Sequence, residues 1–326
     1  MKDKRKPLFW WGLATGLMLS NSVAAQSVFS VKVENDMFAS GEDGHYTNGV
    51  ELNWTFEPSP DHWTQLLAQG LPQSIMSNAG GVSYRFGQQI YTPNEISRSE
   101  LISDDRPYAG LLFGGVSLHN DVQQDNWRQA TDLHVDVGLV GPDSLAENIQ
   151  REVHKITDSD KPQGWRHQLD NEPILNLGYR RQWWRMHSVG GKGLEHGPSV
   201  SAALGNLYTY AGAGYGVRWG DRSYGLPAVA PAQGGRQYFS RTEDFGWYVF
   251  ASVEGRYMAH NLLLDGNTFG DSHSVDRNEW VGDAQVGVAA TWEQWQLAYT
   301  AVWRTKEFDT QKEHDKFGSL TLSRHF

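Results

Sequence analysis

Two polar side chains with catalytic potential stand four residues apart in a segment patterned as a helix. Gln150 and His154 would lie one helical turn apart on a single face, where both could act on one ligand. The imidazole readily takes up and releases a proton near neutral pH, so His154 is a candidate general base toward water. A lone histidine in a loop is more often simply solvated. The elements around His154 therefore determine whether a functional interpretation is better supported.

Local signals predict the helix itself. Ser144 and Glu147 have the spacing of a capping box, which predicts a helix over 145–156. An apolar stripe runs along this helix and is formed by Leu145, Ile149, Val153 and Ile156. A structured helix with such a stripe favours a functional reading of His154 over a solvated one.

Alternation of apolar with polar or small residues runs through most of the chain. Every second residue from Trp280 to Trp292 is apolar or small, and the pattern resumes from Trp295 to Trp303 after the turn Glu293-Gln294. Strands of membrane barrels alternate in this way over about ten residues. We therefore predict an all-β fold, an antiparallel transmembrane β-barrel of twelve strands. The strands begin near Val28, Thr47, Val82, Gly110, Thr131, Glu172, Ser199, Ala211, Phe245, Trp280, Trp295 and Phe317.

Two other interpretations of this pattern were weighed. A soluble sandwich would also alternate, but 12% of the residues are aromatic, and many of the 14 Trp stand at strand ends, where membrane girdles are built. The stretch 260–265 could be a thirteenth strand. Because bacterial barrels have even strand numbers, we interpret it as the extended tip of a loop.

The first residues have the features of a secretory signal. A basic start is followed by an apolar run over 8–19 and by Val23-Ala24-Ala25, which predicts cleavage after Ala25. We therefore expect a signal peptide over 1–25 and one barrel domain over 26–326, integral to the outer membrane of a Gram-negative cell. The C-terminal aromatic Phe326, in phase with the apolar face, resembles the signal read by outer-membrane assembly machinery.

Composition excludes several classes of function. The formal charge is −10, and loss of residues 1–25, with four basic groups and one acidic group, would leave −13, so nucleic acid is an unlikely partner. The chain has no cysteine, which excludes disulfides and thiolate chemistry. We expect contact with outer-membrane lipid and a monomeric state.

Strand parity gathers three polar clusters at one end of the predicted barrel. An even-stranded barrel has both chain ends on one side, so the connections 37–46, 92–109 and 141–171 would lie together on the opposite, extracellular side. The three clusters border these connections and comprise 34–36 with 46–49, 91–93 with 104–110, and 141–144. A binding or catalytic site at the outer rim is the simplest explanation.

Asn35 and Asp36 carry the oxygen ligands that Ca²⁺ prefers. Alternation from Lys32 and Glu34 places Asp36 on the side away from lipid, and we assign it a metal-binding role. Asn and Asp also favour turns, and for Asn35 a turn after the first strand is an equally good explanation. A bound Ca²⁺ would polarise an ester carbonyl and hold the negative charge that develops on it.

Several of these motifs, in this order, resemble the lipid A 3′-O-deacylase family of outer-membrane β-barrels. They are Val33-Glu34-Asn35-Asp36, the Tyr-Thr-x-Gly core within 43–49, the segment 105–110, and Gly138 to His154 with its Gln-x-x-x-His spacing. The resemblance implies a twelve-stranded barrel that uses Ca²⁺ to remove the acyl chain at the 3′ position of lipid A, a carboxylic ester hydrolase.

The resemblance also implies roles for residues of this sequence. The family's catalytic set falls on His154, Gln150, Thr47 and Asn35, and its metal-binding acids fall on Asp36 and Asp160, with Asp158 two residues before the latter. A lysine that the family places after its third strand has no counterpart here, and Arg98 or Arg106 would have to replace it.

Two alternative functions remain open at this stage. An outer-membrane phospholipase would need a serine nucleophile beside a histidine, and Ser117 and Ser144 are available, although neither lies in a recognisable nucleophile setting. A non-catalytic barrel or binding protein would leave the same loop residues with structural roles only.

Overall fold

The chain folds into one closed antiparallel barrel of twelve strands, β1 to β12, as described by a computed structural model. The structure describes residues 27–39, 45–76, 78–157, 159–221, 239 and 241–326, so the predicted signal peptide lies outside the described residues. The strands are Ser27–Asn35, His45–Phe56, Gly81–Thr92, Ala109–Gln124, Trp127–Val140, Glu172–Val189, Lys192–Gly205, Tyr208–Gly220, Thr242–Asn261, Trp280–Glu293, Trp295–Arg304 and Asp315–His325. Within the described residues, three α-helices accompany the strands: α1 (Trp63–Gly70), α2 (Ala146–Thr157) and α3 (Leu262–Asp265).

Each strand pairs with the next in sequence, and β1 closes the barrel against β12 in a register that runs from Val28↔His325 to Asn35↔Gly318. The prediction of twelve strands is confirmed, and β7 begins at Lys192, seven residues before the predicted start near Ser199. Among the described residues, no helix has the length and apolarity needed to cross a bilayer.

The stretch 260–265 differs from the prediction of an extended loop tip. Strand β9 runs to Asn261, whose side chain accepts a hydrogen bond from the backbone N–H of Leu263 and so caps the short helix α3. Leu262 and Leu263 are fully buried, packed with Tyr208 and other residues inside one end of the barrel. Burial of this apolar run explains why the chain turns inward here instead of extending.

Inward-facing side chains form ion pairs across the lumen. Lys32 Nζ lies 3.4 Å from Glu34 and 3.3 Å from Glu51, and Arg85 Nε lies 2.9 Å from Glu51 and Nη1 3.1 Å from Asp136. Alternation then turns the intervening residues of the same strands outward. For site residues within the strands, this alternation determines whether the side chain faces the lumen or the outside.

We call the end of the barrel opposite to its first and last residues the distal rim. Tyr91 faces the lumen there, buried beneath the guanidinium of Arg106 at 4.6 Å from its ring centroid. Tyr91, Tyr208 and Phe317 belong to one buried apolar cluster with α3. Side chains therefore pack the lumen just inside the distal rim.

Candidate active site

The connection between β5 and β6 folds over the outside of the barrel. Gly141, at φ 113°, turns the chain out of β5 in a conformation that favours glycine. Ala146 packs on the outward face of Gly110 so closely that a Cβ on that glycine would lie 2.2 Å from the Ala146 Cβ. Outward-facing Gln88 adds a hydrogen bond from Nε2 to the Ser144 carbonyl, 2.5 Å long. Helix α2 thus starts against the outer wall of β3 and β4.

The predicted helix is confirmed, with a shift of one residue, but the predicted capping box is wrong. Leu145 adopts a left-handed conformation at φ 63° between Ser144 and the first helical residue. The Ser144 hydroxyl donates to the Gly141 carbonyl at 2.6 Å instead of serving the helix. The tight turn that follows Gly141 therefore replaces a conventional cap.

The face of α2 that carries Gln150 and His154 is buried, and its apolar stripe is exposed. Gln150 and His154 are only 3% and 6% exposed, whereas Ile149 and Val153 are 43% and 44% exposed. Burying polar groups costs free energy unless they are hydrogen-bonded, so the burial of Gln150 and His154 in place of the apolar residues needs a specific reason. Gln150 and His154 therefore face the barrel wall, and we call the boundary between α2 and this wall, where the two side chains lie, the cleft.

His154 is oriented by the main chain beyond its own helix. Its Nδ1 lies 2.5 Å from the carbonyl oxygen of Asp160. A carbonyl can only accept, so Nδ1 carries the proton, and Nε2 of the neutral ring keeps its lone pair. The hydrogen bond at Nδ1 fixes the tautomer of the ring, and Nε2 is therefore available as a base. The carboxylate of Asp160 itself is exposed.

Gln150 is oriented by an indole. Trp165 Nε1 donates to Gln150 Oε1 at 2.7 Å, and because indole can only donate, the amide oxygen must face Trp165. The amide nitrogen Nε2 is buried without a hydrogen-bond partner among the described residues. Trp165 is fully buried, its ring centroid 5.0 Å from that of Tyr108. An oriented, unpaired N–H donor therefore stands one turn from His154.

Asn35 and Thr47 form a second group of predicted site residues, at the ends of β1 and β2. Asn35 Nδ2 donates to the Thr47 carbonyl at 2.8 Å, and the Thr47 hydroxyl lies 2.7 Å from the hydroxyl of Thr92. A β-bulge between Tyr46 and Asn48 resets the alternation at Thr47. Thr92 faces outward, since its neighbour Tyr91 faces the lumen, and Thr47 therefore lies on the outer wall.

One row of paired residues relates the two groups. Asn35 pairs with Asn48, Asn48 with Ile90, and Ile90 with Gly110, all on the outer face at the distal rim. With strands about 4.8 Å apart, the row spans roughly 14 Å. Ile90 clusters with Trp165 and Ala146, and α2 contacts both β4 and β3, the strand that pairs with β2. The two groups are lateral neighbours on the same wall.

Asp36 lies just beyond the strand alternation used to place it. Strand β1 ends at Asn35, and Asp36 begins a 3-10 turn over Asp36–Phe38, where its Oδ1 accepts from the Met37 N–H at 2.8 Å. Its carboxylate is buried, at 2% exposure. Among the described residues, no three His, Cys, Asp or Glu side chains are arranged to hold a metal ion. The donor chemistry of Asp36 still fits Ca²⁺, which also takes carbonyl, water and substrate oxygens as ligands.

Neither arginine considered as a replacement for the family lysine is placed in the cleft. Arg106 is buried in the lumen, with Nη1 3.5 Å from Glu307, and Arg98 is exposed beside Glu95 at 3.4 Å. Neither position therefore supplies a cation that could replace the family lysine at this site.

Neither of the two predicted serines is available as a nucleophile for a substrate. Ser117 faces the lumen at 1% exposure, and the Ser144 hydroxyl is used by Gly141. A Ser–His–Asp chain does occur elsewhere: Ser83 Oγ lies 2.7 Å from His119 Nε2, and His119 Nδ1 lies 2.6 Å from Asp132. Ser83 is fully buried inside the barrel, where its hydroxyl is also 2.6 Å from Thr55. A lipid ester could not reach it.

Sequence reasoning missed the residues that hold the site together. Trp165, Thr92 and Gly110 were not singled out for these contacts, although strand parity already turned Thr92 and Gly110 outward. A tryptophan in a polar loop at 158–171 was the available signal for Trp165, since such a residue is seldom left exposed.

Comparison with known proteins agrees with this architecture. Residues 8–326 match the family described as "Outer membrane protein LpxR". The solved structure of LpxR from Salmonella typhimurium aligns with a TM-score of 0.75 at 22% identity, covering 92% of this chain and all of that one. The β domain of the Bordetella autotransporter BrkA aligns with a TM-score of 0.47 at 10% identity, covering 93% and 99% of the two chains.

No curated protein matches the chain. The family match nevertheless extends over both halves of the barrel and over the connection that carries α2. This chain therefore belongs to the LpxR family and is a twelve-stranded β-barrel integral to the outer membrane.

Proposed function

We propose that this protein is a hydrolase that removes the ester-linked acyl chain at the 3′ position of lipid A in lipopolysaccharide. Family membership supports this substrate class, since the family motifs resemble those of lipid A 3′-O-deacylases. One observation carries the proposal: a buried, tautomer-fixed imidazole lies one helical turn from an amide donor that has no partner among the described residues, both facing the outer wall of a membrane barrel. A helix with only a structural role has no need to bury these two polar groups.

In the proposed reaction, Nε2 of His154 takes a proton from a water molecule as the water oxygen attacks the ester carbonyl. The carbonyl oxygen becomes an oxyanion, and the Nε2 proton then passes to the sugar oxygen as the C–O bond breaks. The products are a free fatty acid and a sugar hydroxyl. The Asp160 carbonyl keeps the imidazole oriented and stabilises its protonated form through Nδ1–H.

The remaining residues bind and orient. The free Nε2 donor of Gln150 is placed to hydrogen-bond the attacking water or the ester oxygen. Thr47 and Asn35 fix the ends of β1 and β2 through their mutual contacts. Ca²⁺ would be held by Asp36 and would supply charge stabilisation for the oxyanion. The family pattern offers Asp160 as a second acid, although here its carboxylate is exposed and only its carbonyl contacts His154.

The position of the cleft suits a lipid of the outer leaflet. We assign the distal rim to the extracellular side, because termini of signal-bearing barrels lie in the periplasm. Lipid A lies in the outer leaflet, at the level of this rim. The ester could reach a cleft on the outer wall sideways, without leaving the membrane.

Mass spectrometry of lipid A tests the proposal. Cells that express the wild-type protein should yield lipid A lighter by one acyl chain, and cells that express His154→Ala should not. His167→Ala is a matched control, since it removes another histidine from the same loop and should retain activity. Lipid A of unchanged mass in both wild-type and control cells, with the barrel folded in the membrane, would reject the deacylase assignment.

A further inference from the structure

Helix α2 presents three different surfaces around its axis. One is buried against the barrel and contains Gln150 and His154. A second is polar and exposed, with Arg151 and Glu147 joined by an ion pair of 2.7 Å. The third is the apolar stripe, with exposed fractions of 53% at Leu145, 43% at Ile149, 44% at Val153 and 68% at Ile156. A helix surrounded by water would not place its four large apolar side chains on an open face.

The stripe lies beside a wall that is itself apolar. Helix α2 is docked on the outer face of β3 and β4 through Gly110 and Gln88. Below Gln88 on the same outer face, Phe86 is 54% exposed, and outward-facing Leu52 on β2 is 38% exposed. In an integral outer-membrane barrel this wall faces acyl chains. The stripe therefore extends a surface that is already solvated by lipid.

A second apolar surface lies farther along the same outer wall, in the turn that follows β1. Met37 and Phe38 in the 3-10 turn are 54% and 44% exposed. This turn also lies against the outer wall, because Phe38 packs on the outward face of Gly318. The Phe38 carbonyl accepts a hydrogen bond from the hydroxyl of outward-facing Tyr299 at 2.8 Å. Helix α2 and the 3-10 turn thus both lie against the outside of the barrel.

We propose that the stripe of α2, together with Met37 and Phe38, is immersed among the acyl chains of the outer leaflet. The polar face with Arg151 then points toward the headgroups and water, as in an interfacial amphipathic helix. In this position the cleft opens inside the leaflet, at the depth where acyl chains meet their ester linkages. The immersion itself does not depend on catalysis, whereas its use in admitting an ester rests on the function proposed above.

Single-cysteine spin labelling can test this directly, because the chain contains no cysteine. Labels at Ile149→Cys and Val153→Cys, in protein reconstituted into liposomes of outer-membrane lipids, should be accessible to oxygen and protected from a water-soluble nickel chelate. Arg151→Cys is the matched control on the same helix, 51% exposed at its side chain, and should be accessible to nickel. Accessibility ratios should differ several-fold between the two faces.

The proposal is overturned if labels at Ile149 and Val153 collide with nickel as readily as the label at Arg151. Leu145→Cys and Ile156→Cys provide a second pair on the same stripe if either of the first variants fails to fold. Lipid protection of the stripe in a protein that leaves lipid A intact would support the membrane surface and reject the deacylase function. Cleavage of lipid A by a protein whose stripe is accessible to nickel would support the deacylase function and reject the membrane surface.

Discussion

The indole nitrogen of Trp165 donates a 2.7 Å hydrogen bond to the amide oxygen of Gln150, fifteen residues earlier in the chain. Because indole has no acceptor, this contact determines which end of the amide faces the cleft. The result is a buried Nε2 donor without a partner among the described residues. Trp165 is thus a positioning residue that acts through Gln150.

Replacing Trp165 by Phe should keep most of the packing against Tyr108 and remove the N–H donor. Loss of one hydrogen bond that leaves a buried acceptor unpaired costs about 1–3 kcal/mol. We expect kcat for lipid A deacylation to fall about tenfold or more, with KM little changed. In a Gln150→Ala background the same substitution should have little further effect. The barrel offers a matched control, since Trp183 Nε1 donates to Gln129 Oε1 at 3.1 Å, and Trp183→Phe should leave kcat unchanged.

Gly110→Val should dislodge α2 from the wall. A Cβ at Gly110 would lie 2.2 Å from both Ala146 and the Ser144 hydroxyl, and overpacking of this kind costs about 1–3 kcal/mol. We expect deacylation to be lost while the heat-modifiable mobility of the folded barrel is kept. Gly114→Ala is the control on the same outward face, where the nearest atom to a Cβ is 3.7 Å away. Equal activities of the two variants would contradict the docking role of Gly110.

Asp36 and Asp160 should respond differently to removal of charge. Asp36 is buried, whereas Asp160 contacts His154 through its main chain and has an exposed carboxylate. If only Asp36 holds Ca²⁺, Asp36→Asn should abolish activity, and Asp160→Asn should retain it. Chelation with EGTA should inactivate the wild type, and added Ca²⁺ should restore it. Loss of activity in Asp160→Asn, rescued by higher Ca²⁺, would instead make Asp160 a ligand.

Ser83→Ala should leave deacylation intact. The Ser83–His119–Asp132 chain resembles a hydrolase triad in its hydrogen bonds, but Ser83 is fully buried in the lumen. We expect no labelling of the folded wild-type protein by a fluorophosphonate probe, measured by mass spectrometry. Labelling at Ser83, or loss of activity in a folded Ser83→Ala barrel, would favour the serine phospholipase alternative.

Acid should weaken the packing of the β3–β4 connection through Asp105. Burial alone would raise the pKa of this carboxyl. The His45 ring, whose Nε2 lies 3.4 Å from Oδ1, and hydrogen bonds from the backbone N–H groups of Asn94 and Arg106 outweigh burial and hold the pKa below its usual range. The contribution of Asp105 to stability is therefore present above the unfolded pKa of about 3.9 and is lost as pH falls through the lower folded value.

Thermal unfolding of the wild type and of Asp105→Asn measures this contribution. The variant should be less stable at pH 7, by on the order of 1–3 kcal/mol, and the difference should shrink at pH values below about 4. A difference that persists unchanged into strong acid would show that the ionised carboxylate is not the stabilising species.

Local periodicity was sufficient to predict the barrel and the helix. Alternation specifies which side of a strand a residue faces, and a spacing of four specifies one face of a helix, so the twelve strands and the pairing of Gln150 with His154 could be predicted without tertiary information. The same reasoning failed where periodicity ends. It did not detect the bulge at Thr47, the left-handed turn at Leu145 or the helical burial of Leu262 and Leu263.

The sequence alone determined that this chain makes a twelve-stranded membrane barrel and that one loop helix carries a histidine and a glutamine on one face. Only the tertiary structure decided that this face turns inward against Gly110 and Ile90, that Trp165 and the Asp160 carbonyl orient its polar groups, and that the apolar stripe remains outside. Periodicity is a property of neighbouring residues, whereas these contacts depend on how the connection 141–171 folds and packs on an outer wall that exists only once the barrel is closed.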